Sequence, residues 1–189
     1  MVHRGGRGHL GVLPWAYCLM PNHVYLVAVP TGAEGLRLGI AEAHRRYSRR
    51  VNVREGWRGH LWQGRFASFV LDERWLWAAV RYVENNPVRA GLARRAEAWR
   101  WSSAAAHVAG HDDELVAVGP MLERLGPTDG TWRKYLRGDT PADVAERLWR
   151  HESTGRPLGS DAFVEALEQS LGRPLRPRKR GPKPKTKEN

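Results

Sequence analysis

The apolar residues near the start of the chain form short segments that are typical of β-strands. Residues 13–29 are strand-like and are interrupted at Pro21 and Asn22, which together form a turn signal. The part from residue 23 to residue 29 is rich in valine and is followed by Pro30, so it predicts a buried strand. Residues 65–71, with the sequence RFASFVL, predict a second strand.

In the segment between these two predicted strands, the apolar residues recur at the spacing of an α-helix. Across residues 33–50, Leu36, Ile40 and Tyr47 recur at intervals that place them on one face of a helix. Four cations crowd near the end of this segment, where they favour the helix dipole: Arg45, Arg46, Arg49 and Arg50. The sequence therefore predicts one helix over residues 33–50.

A further helix is predicted to begin at Glu73. Asp72 precedes it and can cap its free backbone N–H groups. Its apolar stripe consists of Leu76, Val80 and Val83, widened by Trp75 and Ala79. Pro87 is predicted to end the helix, because a proline ring disfavours helical geometry in the residue before it.

Shorter helical patterns follow, and the chain closes on a basic segment. Residues 88–111 predict a short helix or turn, and amphipathic stretches cover residues 120–137, 141–151 and 161–171. Pro141 is predicted at the first helical position with Thr140 as its cap. Residues 173–189 hold eight basic residues against one glutamate, so they are predicted to form a disordered basic tail.

Composition narrows the class of protein. The chain has 189 residues, of which 41% are hydrophobic, so it can bury a core. Its net charge of +11 points to a polyanionic partner, either nucleic acid or an anionic membrane surface. A single cysteine, Cys18, excludes a disulfide framework and a cysteine-based zinc site. No apolar stretch is long enough to span a membrane, and no secretory signal is evident, so a cytoplasmic location is expected.

The first segment with candidate chemistry is MPNHVYL, residues 20–26. Alternate residues of a strand share a face, so His23 and Tyr25 are predicted to point the same way. Two such side chains can anchor a metal ion or a scissile phosphate. A buried core histidine is the alternative, and it is the commoner role for a single histidine in an apolar strand.

The second segment is RYVENNPVRAG, residues 81–91. Tyr82 is predicted at the border of the apolar stripe, and Asn86 on the same face one turn later. Arg81 and Arg89 flank Tyr82 and can hold a phosphate bidentately. The alternatives are a half-buried structural tyrosine and arginines on a solvated helix surface.

Taken together, five segments resemble the REP-associated tyrosine transposases, a branch of the single-tyrosine transposases with an HUH motif. The segments, in chain order, are MPNHVYLV, HLWQGRFASF, RYVENNPVRAGL, AEAWRWSSAAAH and TGRPLGSDAFVEALE. The resemblance implies an α+β, ferredoxin-like fold with an antiparallel sheet and helices on one face. It also implies cleavage of single-stranded DNA beside a hairpin, through a 5′-phosphotyrosine intermediate that a free 3′-hydroxyl resolves.

The resemblance assigns roles to residues of the two segments. Tyr82 matches the nucleophile, His23 the first metal-binding histidine, and Asn86 the polar residue one turn after the nucleophile. The implied cofactor is Mg²⁺ or Mn²⁺. Tyr25 stands where the second histidine belongs, and a protonated phenol is a poor ligand for hard cations. Weak metal binding and slow or absent cleavage are therefore expected.

The same resemblance implies a DNA-binding surface around residues 62–66. Gly64 allows close backbone approach, Arg65 can contact a phosphate, and Trp62 or Phe66 can stack on a base. A hairpin corner filled by aromatics is the alternative for Trp62 and Phe66. In the basic tail, three adjacent residues represent the expected phosphate contacts: Arg178, Lys179 and Arg180. A merely solubilising tail is the alternative.

The resemblance divides the chain into a transposase-like domain at residues 1–111, a helical extension at 112–172 and a tail at 173–189. The first strand–helix unit of the family is expected to be missing. A start codon assigned too late, a decayed gene copy and a homodimer that covers the bare face remain open explanations. The main rival to an enzyme is a catalytically inactive hairpin-DNA-binding protein. An RNA- or ribosome-associated protein would explain the charge but not the ordered motifs.

Overall fold

A computed structural model describes residues 11–125, 131–138 and 140–177. Those residues form an α+β structure, as expected from the sequence, and their sheet consists of two antiparallel strands. None of the helices in this part of the chain has the length and apolar character that a membrane crossing requires.

The sheet is a hairpin of strand β1, Val12–Leu19, and strand β2, Val24–Pro30. Both predicted strand-like pieces are confirmed as strands, but the prediction of a buried second strand is wrong, because every residue of β2 is half-buried or exposed. The turn between the strands is closed by a 2.9 Å bond from the Met20 N–H to the His23 carbonyl. The pairing is irregular between Pro14 and Ala16, where proline lacks a donor for the ladder. His23 lies one residue before β2 rather than within it.

Helix α1, Gly35–Glu55, is longer than the predicted helix over residues 33–50. It continues past Arg50 because Val51 packs inward, and it ends where Gly56 takes a left-handed conformation with φ 67°. The start of α1 lies against the chain that enters β1. A Cβ atom on Gly35 would collide with the Gly11 carbonyl oxygen, so this close approach requires glycine.

Helix α2, Glu73–Glu84, is capped as predicted, because the Asp72 carboxylate accepts a 2.9 Å hydrogen bond from the Trp75 N–H. It ends at Glu84, before the predicted stop at Pro87. A short helix, α3, follows and spans Asn86–Arg89. Pro87 lies in its first turn, where the missing N–H of proline costs no hydrogen bond. Pro87 therefore opens α3 instead of ending α2.

The predicted strand at residues 65–71 is wrong. Apart from a single parallel bridge between Leu71 and Leu158, the segment has no strand structure. Its apolar side chains instead cover the outside of α2, where Phe69 and Leu71 pack into a cluster with Ala79 and Leu158. A strand needs a partner, and the described part of the chain provides only isolated bonds to the segment around Leu158.

The rest of the described chain is helical. A 3₁₀ turn spans Ala96–Ala98. The helices that follow are α4 (Ala104–Ala109), α5 (Gly119–Leu125), α6 (Trp132–Arg137), α7 (Val144–Thr154) and α8 (Asp161–Leu171). The predicted Thr140 cap is wrong, because Asp143 precedes α7 and Pro141 lies in the turn before it. α8 begins and ends at the predicted residues.

The start of the basic tail is ordered, contrary to prediction. Glu168 on α8 accepts hydrogen bonds from the Leu175 and Arg176 backbone N–H groups, and it pairs with the Arg176 guanidinium at 3.2 Å. The chain is therefore held against α8 through Arg176. The remainder of the predicted tail lies outside the described residues.

The main core joins the hairpin to the later helices. Ala16 on β1 and Val80 on α2 pack with Met121 on α5 and Trp132 on α6, and all four are at most 3% exposed. Since α2 packs on both strands, this core fixes the position of α2 over the sheet. Residues of the expected helical extension thus share one hydrophobic core with the hairpin.

A buried polar network crosses this core. Glu84 is fully buried, and its carboxylate accepts hydrogen bonds from Ser103 Oγ at 2.5 Å, His107 Nδ1 at 2.7 Å and Trp132 Nε1 at 2.7 Å. The His107 ring stacks on Trp132 with 4.1 Å between centroids. Helices α4 and α6 are therefore tied to the C-terminal turn of α2 by directional bonds.

Candidate functional site

Two phenols meet where β2 faces α2. The rings of Tyr25 and Tyr82 are edge to face with centroids 5.7 Å apart, and their side chains are hydrogen-bonded. Tyr25 comes from β2 and Tyr82 from the last turn of α2, so the packing of that helix on the sheet positions both. We call these two residues the phenol pair.

His23 lies beside the phenol pair. Its ring contacts the Tyr25 ring edge to face, at 4.9 Å between centroids. Nδ1 is 2.7 Å from Asn22 Oδ1, and since that oxygen can only accept, Nδ1 carries the proton. Nε2 is buried and has no hydrogen-bond partner among the described residues. Neutral His23 therefore holds an unused lone pair on Nε2.

Asn86 is a further residue that lies next to Tyr25. It is 8% exposed, and its side chain lies within hydrogen-bonding reach of the Tyr25 phenol. Its amide nitrogen Nδ2 is buried without a partner of good geometry in the part of the chain that the structure describes. Although a helix break separates Asn86 from Tyr82, both residues contact Tyr25, so the predicted site residues converge.

The electrostatics of the site keep Tyr25 neutral. Burial raises its pKa most, and the hydrogen bond with Tyr82 and the negative charge of Glu152 on α7 raise it further. Asn86 has the opposite but smaller effect. On the outer side, the guanidinium of Arg89 lies 4.1 Å from the centroid of the Tyr82 ring, a cation–π contact. The site thus combines a protonated phenol with one nearby cation.

These residues do not fit a divalent cation. Mg²⁺ and Mn²⁺ take carboxylate, carbonyl or water oxygens, and imidazole adds to such a set. Here a neutral phenol and an amide N–H stand beside the single imidazole of His23. Within residues 11–125, 131–138 and 140–177, no three His, Cys, Asp or Glu side chains are grouped as a metal site.

An open pocket of about 350 Å³ adjoins Tyr82 and Arg89. Arg89 and Asn85 line it from the α2–α3 corner, and Leu136 and Thr140 line it from the opposite wall. Its volume is enough for one nucleobase, and its lining offers a cation, an amide and a hydroxyl. Asn85 itself is held by a 2.9 Å bond to the Leu136 carbonyl.

The other predicted DNA-binding residues are spread over the molecule. Arg81 lies over the Tyr135 ring, 4.6 Å from its centroid, so it packs inward rather than toward a ligand. One face of Trp62 stacks on His44 of α1 at 4.0 Å. Arg65 is exposed and Phe66 is half-buried. The tail residues lie outside the described part of the chain: Arg178, Lys179 and Arg180.

A strongly basic groove runs along α1. Five arginines line it together with Val53: Arg45, Arg46, Arg49, Arg50 and Arg54. Arg45 and Arg46 share one partner, Glu42, and lower the pKa of that carboxyl to about 2. Sequence reasoning assigned the arginines near the helix end to the dipole alone, but their shared exposed face also suits a phosphate backbone.

Two residues of the site escaped the sequence analysis. Asn22 orients His23, and its only signal was its place just before that histidine. Glu152 acts on Tyr25 from α7, and no local pattern connects residues so far apart in the chain. Cys18 offers no rival nucleophile, because it is buried and its pKa is raised to about 12.

Comparison of the chain with family models, with curated proteins and with solved structures found no match.

Proposed function

We propose that the protein is a DNA transposase of the single-tyrosine class, acting on single-stranded DNA beside a hairpin. The observation that carries the proposal is the convergence of His23, Tyr82 and Asn86 on Tyr25, from two segments that lie far apart in the chain, residues 20–26 and 81–91. The resemblance to REP-associated tyrosine transposases selects the same residues. We assign the β-hairpin of strands β1 and β2, together with helices α1 and α2, to the ferredoxin-like fold of that family.

The chemistry proposed for Tyr82 is phosphoryl transfer. Its Oη attacks the phosphorus of one phosphodiester, so an Oη–P bond forms and the bond from phosphorus to the 3′-oxygen breaks. The phenolic proton leaves Oη, and a proton from solvent neutralises the departing 3′-oxygen. A free 3′-hydroxyl later attacks the phosphotyrosine and restores the phenol. The pocket beside Tyr82 would bind the DNA base next to the attacked phosphodiester.

Charge supports the choice of substrate. The net charge of +11 and the arginine groove on α1 suit a polyanion, and a hairpin presents both a duplex stem and single-stranded flanks. The Trp62 ring contacts the ring of Tyr47 on α1, with centroids 5.7 Å apart. Trp62 thereby adds an aromatic surface beside α1, which suits unpaired bases.

A second candidate function is hairpin-DNA binding without cleavage. Tyr25 favours it, because its neutral phenol occupies the place of a metal-binding imidazole and hydrogen-bonds the Tyr82 side chain. A phenol with an ordinary pKa near 10 is a weak nucleophile at neutral pH unless it is activated. The same DNA would bind, but no covalent intermediate would form.

The deciding experiment is a search for the covalent adduct. The full chain is incubated with a pool of hairpin oligonucleotides that carry randomised single-stranded flanks, with Mn²⁺ and separately with EDTA. We expect a DNA–protein adduct that survives denaturing electrophoresis and disappears completely in Tyr82→Phe. Tyr47→Phe, which changes an exposed phenol on α1, should keep the adduct. Tight DNA binding with no adduct would support the second candidate, and no binding at all would contradict both.

The basic tail provides a further prediction. Residues 178–189 contain six basic residues and one glutamate. Deleting them is expected to weaken binding to the hairpin pool and to reduce the slope of log K against log salt by up to about 4, at about 0.7 per lost single-strand phosphate contact. Binding measured by fluorescence anisotropy from 50 to 300 mM salt, about a sixfold range, tests this. A slope equal to that of the full chain would show that the tail only aids solubility.

A further inference from the structure

We propose that Tyr25, Asn86 and Arg89 form a phosphate-binding cluster that contacts the scissile phosphodiester directly, in the place where a metal ion would otherwise stand. This inference rests on the proposed function, since it names how the same site holds its substrate. It starts from the poor fit between these side chains and a cation.

The strongest observation is the buried amide of Asn86. Among the described residues its Nδ2 has no hydrogen-bond partner of good geometry, although the residue is only 8% exposed and lies within reach of the Tyr25 hydroxyl. A buried donor that stays unsatisfied destabilises the fold, so a bound molecule that supplies an acceptor is the natural partner of this amide. An N–H group requires an acceptor, and a phosphate oxygen is one. A cation would be repelled by the same group.

Tyr25 supplies a second donor. Burial keeps its hydroxyl protonated, so it can donate to an oxyanion but cannot serve as an anionic ligand. Its hydrogen bond with Tyr82 places the two hydroxyls next to each other. A phosphate oxygen that accepts from Tyr25 would therefore bring its phosphorus close to the Tyr82 hydroxyl.

Arg89 supplies the positive charge. Its guanidinium lies against the Tyr82 ring and is exposed, so it can reach a phosphate at the mouth of the adjoining pocket. The exposed carboxylate of Glu152 opposes an anion, and Arg89 offsets it. Donors fixed at the non-bridging oxygens stabilise the charge that grows there in the transition state.

The test uses a substitution that separates an anion site from a cation site. Asn86→Asp nearly preserves the shape but replaces a donor by a negative charge, which would strengthen a cation site and weaken a phosphate site. We expect the dissociation constant for inorganic phosphate, measured by tryptophan fluorescence on the full chain, to rise at least tenfold. Gln169→Glu, which adds one negative charge on α8, should change it less than twofold.

A second variant protects the test against misfolding. Tyr25→Phe removes only the hydroxyl and is expected to weaken phosphate binding severalfold while circular dichroism stays unchanged. In the adduct assay, wild-type yield should be the same in EDTA as in Mn²⁺. Changes below twofold in both variants, or an adduct that vanishes in EDTA, would overturn the phosphate-binding cluster. Phosphate binding that behaves as expected with no adduct under any condition would instead contradict only the proposed function.

Discussion

Replacing Glu84 with alanine is expected to lower the free energy of unfolding by about 3–5 kcal/mol, because it leaves buried donors without an acceptor. The Glu84 carboxylate accepts from Ser103, His107 and Trp132, and each of these partners is at most 3% exposed. No water can replace the carboxylate without opening the core. Urea denaturation followed by tryptophan fluorescence measures the difference.

The matched control for this prediction is Glu146→Ala. Glu146 pairs with Arg150 at the surface of α7, where both side chains are about two-thirds exposed, so its loss should change stability by no more than about 0.5 kcal/mol. Glu84→Gln should fall between the two, since the amide keeps one acceptor oxygen. A Glu84→Ala protein within about 1 kcal/mol of wild type would mean that the network contributes little.

Replacing Tyr25 with histidine is expected to raise Mn²⁺-dependent nicking of hairpin DNA by about two orders of magnitude or more. The change places a second imidazole beside His23, whose Nε2 already has a free lone pair. It also removes the phenol that hydrogen-bonds the Tyr82 side chain. Single-turnover nicking rates across a Mn²⁺ titration, with wild type measured in parallel, test this directly.

The specificity of that gain can be checked with Tyr25→Phe. Phenylalanine removes the hydroxyl but offers no ligand, so Mn²⁺ should not accelerate this variant. If Tyr25→His responds to Mn²⁺ no better than Tyr25→Phe, the idea that position 25 limits metal binding is wrong. Equal, rapid Mn²⁺-dependent nicking by the wild type and Tyr25→His would contradict it as well.

Local sequence signals predicted the elements that carry the site. The Pro21–Asn22 turn and the valine-rich segment after it gave the hairpin, and the Asp72 cap gave the start of α2. These features depend on neighbouring residues, so they can be recognised one segment at a time. The grouping of His23 with Tyr82 came from the family resemblance, because residues on different elements have no shared local pattern.

The features that the sequence did not predict correctly all depend on tertiary contacts. Residues 65–71 have the composition of a strand, yet their partner is the loop around Leu158, so they cover α2 instead. The burial of Glu84 could not be foreseen either, since a glutamate at the end of an amphipathic helix normally faces water. Its burial depends on Ser103, His107 and Trp132, which come from distant parts of the chain.

Two residues in the last turn of α2, Tyr82 and Glu84, have different surroundings although they are only two positions apart in the chain. Glu84 is tied to three buried groups, whereas Tyr82 directs its hydroxyl to Tyr25 and its ring to Arg89 and an open pocket. Substitutions at Tyr82 therefore leave the polar network of the core intact, while substitutions at Glu84 damage the scaffold and the cleft together. Loss of the Tyr82 phenol would therefore leave a folded protein that still carries the arginine groove of α1.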